Sequence, residues 1–283
     1  MWNSKDVYYI SDSTALLAEE MGKSMLCQFP EIGFNEEKIP FVREKRDAEM
    51  ALARIMKQSG GLQPLIFCTI MEEQVRRVFD IAEVELIDLY GGFLSKLEHI
   101  LEAKALHQPG FYRNRDDAKT EKRVEAIRYT LEHDDGKRTE GYDQADIILI
   151  GVSRTGKTPV SVYIATHMSL KAANFPMTAD HLDAYELPAD IIRNRTRAVG
   201  LTVTPQFLSR IREERYRGSK YASITTCKAE LQRAEQLYMQ HGIQIVHTEG
   251  KSIEELSAEV TNLPGICKKG RKRPPSESRD ARE

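Results

Sequence analysis

The chain has 283 residues, of which 41 are Lys or Arg and 43 are Asp or Glu, so its formal net charge is −2 at pH 7. This length allows one large hydrophobic core or two smaller ones. A nucleic-acid binder usually carries a basic excess, and the near balance of charges argues against that class. No apolar run approaches the roughly 20 residues of a membrane-spanning helix. With no signal peptide recognised, we expect a cytoplasmic protein without a membrane or nucleic-acid partner.

The cysteines do not form a metal or disulfide pattern. Cys27, Cys68, Cys227 and Cys267 are far apart and contain no CxxC pair. Zinc sites and disulfide frameworks normally need closer or more numerous cysteines. We therefore expect reduced thiols, as is usual for a cytoplasmic protein.

Short apolar runs alternate with helical patterns in the first 106 residues. Strands are predicted over residues 7–10, 39–42, 65–70 and 84–90, and helices up to residue 29 and over 72–82 and 93–105. Residues 11–14, Ser-Asp-Ser-Thr, provide N-capping side chains for the first helix or, alternatively, occupy a position where α/β proteins bind ligands. Alternation of this kind predicts a parallel sheet that is covered on both faces.

The rest of the chain is predicted to contain a linker, a second α/β block and a tail. A helix over 122–133, with Val124, Ile127 and Leu131 facing the core, follows an irregular stretch. The second block has predicted strands over 145–150, 173–177, 198–203 and 243–247, and helices over 157–168, 205–217, 225–241 and 253–260. We thus expect an N-terminal α/β domain (1–106), a connecting segment with its helix (107–144), a P-loop nucleotide-binding domain (145–264) and a disordered basic tail (265–283).

One motif indicates a specific chemistry. Residues 151–158 match the pattern G-x-x-x-x-G-K-[ST] between a predicted strand and a predicted helix, as in phosphate-binding loops. We predict that the whole loop binds a nucleotide's phosphates: Gly151, Val152, Ser153, Arg154, Thr155, Gly156, Lys157 and Thr158. The alternative is a tight strand-to-helix turn with an exposed lysine.

Each part of this loop has an expected task. The glycines let main-chain N–H groups approach phosphate oxygens, and the N-terminus of the following helix favours an anion. Lys157 is expected to contact terminal phosphate oxygens, and Arg154 to add a forked contact that stabilises charge on the transferred group. The Thr158 hydroxyl is the expected ligand of Mg²⁺.

The acidic partner of the loop is less clear from the sequence. Asp88, Asp180 and Asp183 lie in or after predicted strands, and none is a clean match for the aspartate that usually accompanies a P-loop. Residues 133–136, His-Asp-Asp-Gly, fit either a metal- or proton-handling cluster or a polar helix end. We expect Asp135 or Asp180 to orient or deprotonate an acceptor hydroxyl. Residues 212–217 are interpreted as the exposed face of a helix, with docking of a phosphorylated partner as the alternative.

Taken together, these segments resemble one family, the bifunctional regulatory proteins of phosphoenolpyruvate synthase and of pyruvate, phosphate dikinase. The segments that carry the resemblance are residues 9–14, 28–30, 123–136, 145–159, 171–176, 211–215 and 221–223. Gly156 before Lys157 and the stretch 179–188 are similar to the synthase branch. His181 departs from the aspartate that is usual there, which leaves Asp180 and Asp183 as the positions that match.

The resemblance implies two opposed activities. The family phosphorylates a threonine of its target enzyme with ADP as the donor, which inactivates the target. Inorganic phosphate then reverses this step by attacking the phosphothreonine and releasing pyrophosphate. The resemblance therefore implies phosphoenolpyruvate synthase as the partner, ADP, phosphate and pyrophosphate as ligands, and Mg²⁺ as a cofactor.

Other functions share the same loop. The same chemistry on pyruvate, phosphate dikinase and an ATP-dependent kinase of a small metabolite are the alternatives within catalysis. A nucleotide-sensing module without catalysis is the alternative outside it. The oligomeric state is left open, with a homodimer as one option.

Overall fold

The computed structural model describes residues 4–60, 62–109 and 117–266. The chain forms two compact units, which divide between residues 115 and 116. Each unit contains one parallel four-stranded sheet with helices, so the prediction of a mixed α/β chain with an N-terminal parallel sheet is confirmed. The division into four segments stays a prediction, and the basic tail and Cys267 lie outside the described residues.

The first unit alternates strands and helices around its sheet. Its elements are β1 (Ser4–Ile10), α1 (Leu16–Leu26), β2 (Gly33–Ile39), α2 (Lys45–Gln58), β3 (Leu65–Cys68), α3 (Glu73–Arg76), β4 (Glu85–Asp88) and α4 (Gly91–Leu101). The strand order is β2-β1-β3-β4, and all pairs are parallel. β1 and β3 therefore lie in the middle, where their apolar residues are buried on both faces.

Two elements of this unit differ from the sequence prediction. β2 ends at Ile39 instead of spanning residues 39–42, because its polar residues face outward on an edge strand and Pro40 cannot donate to the sheet. No element is predicted over the residues of α2, and this prediction is wrong. Its buried face consists of Ala48, Ala51 and Ile55, with Leu52 and Met56 partly buried beside them, so the apolar residues do recur at helical spacing.

The predicted N-cap of α1 is also wrong. The helix begins after Ala15, which has a left-handed φ of 59° and gives no side-chain cap. The polar side chains before it bond elsewhere: Ser11 Oγ accepts from the N–H of Ser13, and Asp12 Oδ2 accepts from the N–H of Met71. These residues close the loop onto the segment after β3.

The second unit is larger and has more helices. Its elements are α5 (Asp117–Glu132), β5 (Ile147–Gly151), α6 (Lys157–Tyr163), β6 (Ala172–Pro176), α7 (Ala179–Ala184), α8 (Ala189–Arg193), β7 (Ala198–Thr202), α9 (Pro205–Arg215), α10 (Ile224–His241), β8 (Gln244–His247) and α11 (Ile253–Asn262). The strand order is β6-β5-β7-β8, again all parallel. None of the helices described here is long and apolar enough to cross a membrane.

The buried face of α5 is not the predicted one. Val124 and Leu131 are 60% and 62% exposed, whereas Ala126, Tyr129 and Thr130 are buried. Tyr129 packs in the core of the sheet, and the Thr130 hydroxyl accepts a hydrogen bond from the N–H of Ala172 at the start of β6. The polar Thr130 thus takes a position that apolar periodicity does not reveal.

The close packing of β7 against α10 gives a test of the fold. A Cβ added at Gly200 would lie 2.6 Å from ring atoms of Tyr238, which is fully buried. We expect Gly200→Ala to reduce the free energy of unfolding by about 1–3 kcal/mol, because the ring has little room to move. Guanidinium denaturation followed by circular dichroism measures this loss.

The matched control is the same substitution in a Tyr238→Leu background. Leucine leaves space beside residue 200, so the added methyl group should cost clearly less there. Equal losses of unfolding free energy in both backgrounds would show that contact with the Tyr238 ring is not the reason why a side chain at residue 200 is destabilising.

Candidate active site

The candidate site lies at the carboxyl end of β5, the strand between β6 and β7. All five residues of β5 are buried, which fixes the position of the loop that follows. A Cβ at Gly151 would lie 2.6 Å from Thr155 Oγ1 and 3.0 Å from the carbonyl oxygen of Leu201. Glycine is therefore required here because the main chain passes too close to its neighbours for a side chain.

The loop turns tightly and leaves the start of α6 open. Gly156, the N-cap of α6, has a left-handed φ of 89° and gives no side-chain cap. Arg154 also has a positive φ, 77°, which is unusual for a residue with a side chain. The helix continues as a π-helical turn over Ile164–Met168. Gly156 has no side chain that could cap the N–H groups of Lys157 and Thr158 at the start of α6, and anion binding there stays a prediction.

Lys157 is buried inside this loop. It is only 6% exposed, and its ammonium group donates to the carbonyl oxygen of Val152 at 3.0 Å. Burial, together with the positive charges of Arg212 and Arg154, lowers the pKa of Lys157 to about 8, although the negative charges of Asp135 and Asp134 oppose this shift. The exposed lysine of the alternative interpretation is therefore wrong. A buried ammonium group that bonds to a neutral carbonyl oxygen keeps its charge, which would favour an anionic ligand.

The remaining residues of the loop divide into buried supports and exposed groups. Val152 and Thr155 are buried, and the Thr155 hydroxyl donates to the carbonyl oxygen of Val152 at 3.0 Å. Ser153 and Thr158 are exposed, and Arg154 is half-buried. The predicted loop thus contains an inner layer that fixes its shape and an outer layer that a ligand can reach.

A carboxylate from a distant segment meets the loop at Thr158. The Thr158 hydroxyl donates to Asp134 Oδ1 at 3.1 Å. Asn174, a buried residue of β6, donates from its Nδ2 to the same carboxylate oxygen and, at 3.3 Å, to Thr158 Oγ1. Its Oδ1 accepts from the N–H of Asp135 at 2.9 Å. Asn174 therefore joins the turn Asp134–Gly136 (the acidic turn) to the loop 151–158, which the sequence predicts to bind phosphate.

The acidic turn is held from behind by a buried aromatic stack. The imidazole of His133 is 6% exposed and stacks on Tyr129 with 3.8 Å between the ring centroids. Its Nδ1 lies 2.7 Å from the carbonyl oxygen of Tyr129, and the main-chain carbonyl of His133 accepts from the N–H of Asn174. His133 thus has a structural position, while Asp134 and Asp135 face the loop.

Of the predicted carboxylates, only Asp135 lies near the loop, and the other three lie elsewhere in the described residues. Asp135 is exposed, has a φ of 53°, and its charge acts on Lys157. Asp180 is exposed in the first turn of α7. Asp183 pairs with Arg233, and Asp88 belongs to the first unit, where it pairs with Arg76 at 3.0 Å. The catalytic roles of Asp135 and Asp180 stay predictions.

The oxygen ligands at this site suit Mg²⁺. Thr158 and Asp134 place a hydroxyl and a carboxylate side by side. Mg²⁺ prefers hard oxygen ligands and usually takes only one or two carboxylates, with substrate phosphates and water completing its shell. No group of three or more His, Cys, Asp or Glu side chains within the described residues could hold a metal ion. A Mg²⁺ ion that arrives with a nucleotide fits this donor set.

Three residues of the site were not identified from the sequence. Asp134 was seen only as part of its segment, and Asn174 was not singled out, because neither follows a recognised motif. Arg212 was interpreted as part of an exposed helix face, which is wrong: it is fully buried, and its Nη2 donates to the carbonyl oxygen of Ser153 at 3.2 Å. The charge of Arg212 suggested an exposed side chain, but its partners in the fold bury it.

Comparisons with known proteins show which family the chain resembles over most of its length. The family model described as kinase/pyrophosphorylase matches residues 7–261. A relative from Desulfotalea psychrophila is 41% identical over 92% of this chain and 96% of its own length, and one from Aeromonas hydrophila is 40% identical over 92% and 97%. A third, from Laribacter hongkongensis, is 37% identical over 95% of this chain and 100% of its own.

All three relatives are provisionally named phosphoenolpyruvate synthase regulatory proteins. The matched region contains both sheets, the phosphate-binding loop and the acidic turn. A match over so much of the chain identifies a family and not merely a shared loop. The chain belongs to the kinase/pyrophosphorylase family.

Proposed function

We propose that this chain is a protein threonine kinase and phosphorylase that regulates phosphoenolpyruvate synthase. The relatives' names supply the partner. The observation that carries the chemistry is the buried ammonium group of Lys157 beneath the uncapped start of α6, with Asp134 bound to Thr158 at its edge. This arrangement suits a diphosphate whose terminal group is transferred.

In the forward reaction the threonine oxygen attacks the β-phosphorus of ADP. The bond between that phosphorus and the bridging oxygen breaks, AMP leaves, and the threonine proton passes to a carboxylate. Lys157 and Arg154 stabilise the negative charge on the transferred group. The main-chain N–H groups of the loop hold the phosphates in line with the acceptor.

In the reverse reaction an oxygen of inorganic phosphate attacks the phosphorus of phosphothreonine. The bond to the threonine oxygen breaks, pyrophosphate forms, and the threonine regains a proton. Both directions place two adjacent phosphates in the same loop. One anion site therefore serves ADP, phosphate and pyrophosphate.

The two aspartates of the acidic turn have different tasks in this proposal. Asp134, fixed by Asn174 and bonded to Thr158, would hold Mg²⁺ together with Thr158, and the ion would neutralise phosphate charge. Asp135 is exposed, so its carboxylate is open to the threonine of a large protein substrate. We assign the orienting or basic role to Asp135, with Asp180 as the alternative. A cytoplasmic location and a homodimer stay predictions.

The test of the function is phosphate transfer. The chain is mixed with phosphoenolpyruvate synthase and β-labelled ADP, and we expect the label on a synthase threonine. Lys157→Ala should reduce the rate by at least about 100-fold, because it removes a buried charge from the transferred group.

Three results would contradict the proposal. Labelling of pyruvate, phosphate dikinase but not of the synthase would change the target. Transfer from ATP to a small metabolite without a protein acceptor would indicate a metabolite kinase. Binding of ADP with no transfer to either enzyme would indicate a nucleotide sensor.

A pair of matched variants tests the tasks of the acidic turn. Asp134→Asn should weaken ADP binding about tenfold in the presence of Mg²⁺ and raise the Mg²⁺ concentration needed, because it removes a hard ligand. Asp135→Asn should leave ADP affinity near that of the wild type and lower turnover by about 100-fold or more. Calorimetry with ADP and the labelling assay measure the two effects.

Asp180→Asn is the companion to this pair. If it abolishes turnover while Asp135→Asn does not, the base is Asp180. If Asp134→Asn behaves like the wild type at every Mg²⁺ concentration, Asp134 does not bind the ion.

The lowered pKa of Lys157 predicts how ADP binding depends on pH. A bound diphosphate favours the charged ammonium group, so binding is strongest below the free protein's pKa of about 8 and weakens as pH rises through it. From pH 7 to pH 9 the affinity should fall about tenfold. The terminal phosphate group, whose second pKa is about 6, stays ionised over this range.

Calorimetry in buffers of different ionisation enthalpy should also detect proton uptake above pH 8. Lys157→Met is the control, since it lacks the titrating group and should bind weakly at all these pH values. A pH-independent wild-type affinity would mean that Lys157 does not contact the phosphates.

A further inference from the structure

Arg212, in α9, is buried more deeply than its charge leads one to expect. Its side chain is 0% exposed, and its Nη2 pairs with Glu230 at 2.7 Å. Its Nε is buried without a hydrogen-bond partner among the described residues. A buried ion pair is weak evidence for stability, because apolar residues of similar volume often serve equally well. The position of Arg212 therefore calls for an explanation beyond packing.

The contacts of Arg212 connect three separate segments. Nη1 donates to the carbonyl oxygen of Tyr221 at 3.1 Å, and the guanidinium lies 4.0 Å from the centroid of the Tyr221 ring. Glu230 of α10 holds the other side of the group. The third contact is the bond from Nη2 to the carbonyl oxygen of Ser153, in the phosphate-binding loop. Arg212 is thus fixed by α10 and the turn Lys220–Ala222, and reaches the loop from there.

The bonded carbonyl belongs to the peptide between Ser153 and Arg154. In a trans peptide the carbonyl oxygen and the N–H point in opposite directions. Fixing the carbonyl of Ser153 therefore fixes the N–H of Arg154, which points away from Arg212. Arg154 also has a positive φ of 77°, a strained conformation that persists only when its surroundings hold it.

We propose that Arg212 is a positioning residue that sets the orientation of the Ser153–Arg154 peptide and so prepares the loop for a diphosphate. This inference rests on the proposed function, because it assumes that the loop binds ADP. The role requires the forked geometry of arginine, since one guanidinium must bond to Ser153, Tyr221 and Glu230 together.

The test compares three variants of the full chain. The double variant Arg212→Met with Glu230→Leu removes the buried ion pair without leaving a lone charge. Arg212→Lys keeps the charge but not the fork. Arg197→Met is the matched control. Arg197 also donates to main-chain carbonyl oxygens, those of Asp143 and Ala145, but these residues precede β5 and are outside the loop 151–158.

Three quantities are measured for each variant: the thermal midpoint, the Kd values for ADP and for pyrophosphate by calorimetry, and the amide ¹⁵N shift of Arg154. We expect the double variant and Arg212→Lys to bind both ligands at least about tenfold more weakly and to shift the Arg154 signal. Arg197→Met should lower the thermal midpoint without changing the Kd values or that signal. If Arg212 only stabilised the fold, its variants would lower the thermal midpoint as Arg197→Met does, and the Kd values and the Arg154 signal would not change.

The outcomes distinguish this inference from the function beneath it. If the wild-type chain binds neither ADP nor pyrophosphate, both the proposed function and the role of Arg212 are overturned. If the wild type binds both but Arg212→Lys and the double variant bind within about twofold of it, with the Arg154 signal unmoved, only the role of Arg212 is overturned. Should the double variant not fold, Arg212→Lys decides the question alone.

Discussion

The hydrogen bonds of Asn174 join two distant segments of the second unit, the turn Asp134–Gly136 and the loop 151–158. Its side chain bonds to the carboxylate of Asp134, to the hydroxyl of Thr158 and to the N–H of Asp135. These partners come from a turn and a loop that are far apart in sequence. Because Asn174 is buried in β6, its amide needs hydrogen-bond partners, and these residues supply them. One buried amide thus connects the turn that contains Asp134 and Asp135 to the loop 151–158.

The loop 151–158 contains a charged side chain, Lys157, in a buried position that disfavours charge. The ammonium group of Lys157 has lost most of its water and bonds to the carbonyl oxygen of Val152, which compensates it only in part. Asp134 and Asp135 supply negative potential, while Arg212 and Arg154 add positive potential. In the proposed function, a bound diphosphate would supply the negative charge that this buried ammonium group lacks.

The sequence predicted the parts of this structure that depend on local pattern. Continuous apolar runs gave β1, β3, β5 and β7, and the spacing of two glycines, a lysine and a threonine gave the loop from Gly151 to Thr158. It failed where tertiary contacts decide. β2 is a polar edge strand, and Arg212 is buried by contacts with α10, the turn Lys220–Ala222 and the loop 151–158. Asn174 and Asp134 gain their importance from a meeting of distant segments, which one sequence does not encode in any spacing.

The two units have the same sheet topology but different side chains in the loop after the equivalent strand. Both sheets have the same strand order, with β1 and β5 in equivalent places, and both following helices begin after a left-handed residue without a side-chain cap. In the second unit this opening contains Lys157. In the first, the loop provides its own anion: the buried carboxyl of Asp12 accepts the N–H of Met71, and burial raises its pKa. A carboxylate in that place repels phosphate instead of attracting it. The two units thus share a strand order but differ in the side chains that line the loops after β1 and β5. Those side chains, and not the order of the strands, set the sign of the charge in each loop.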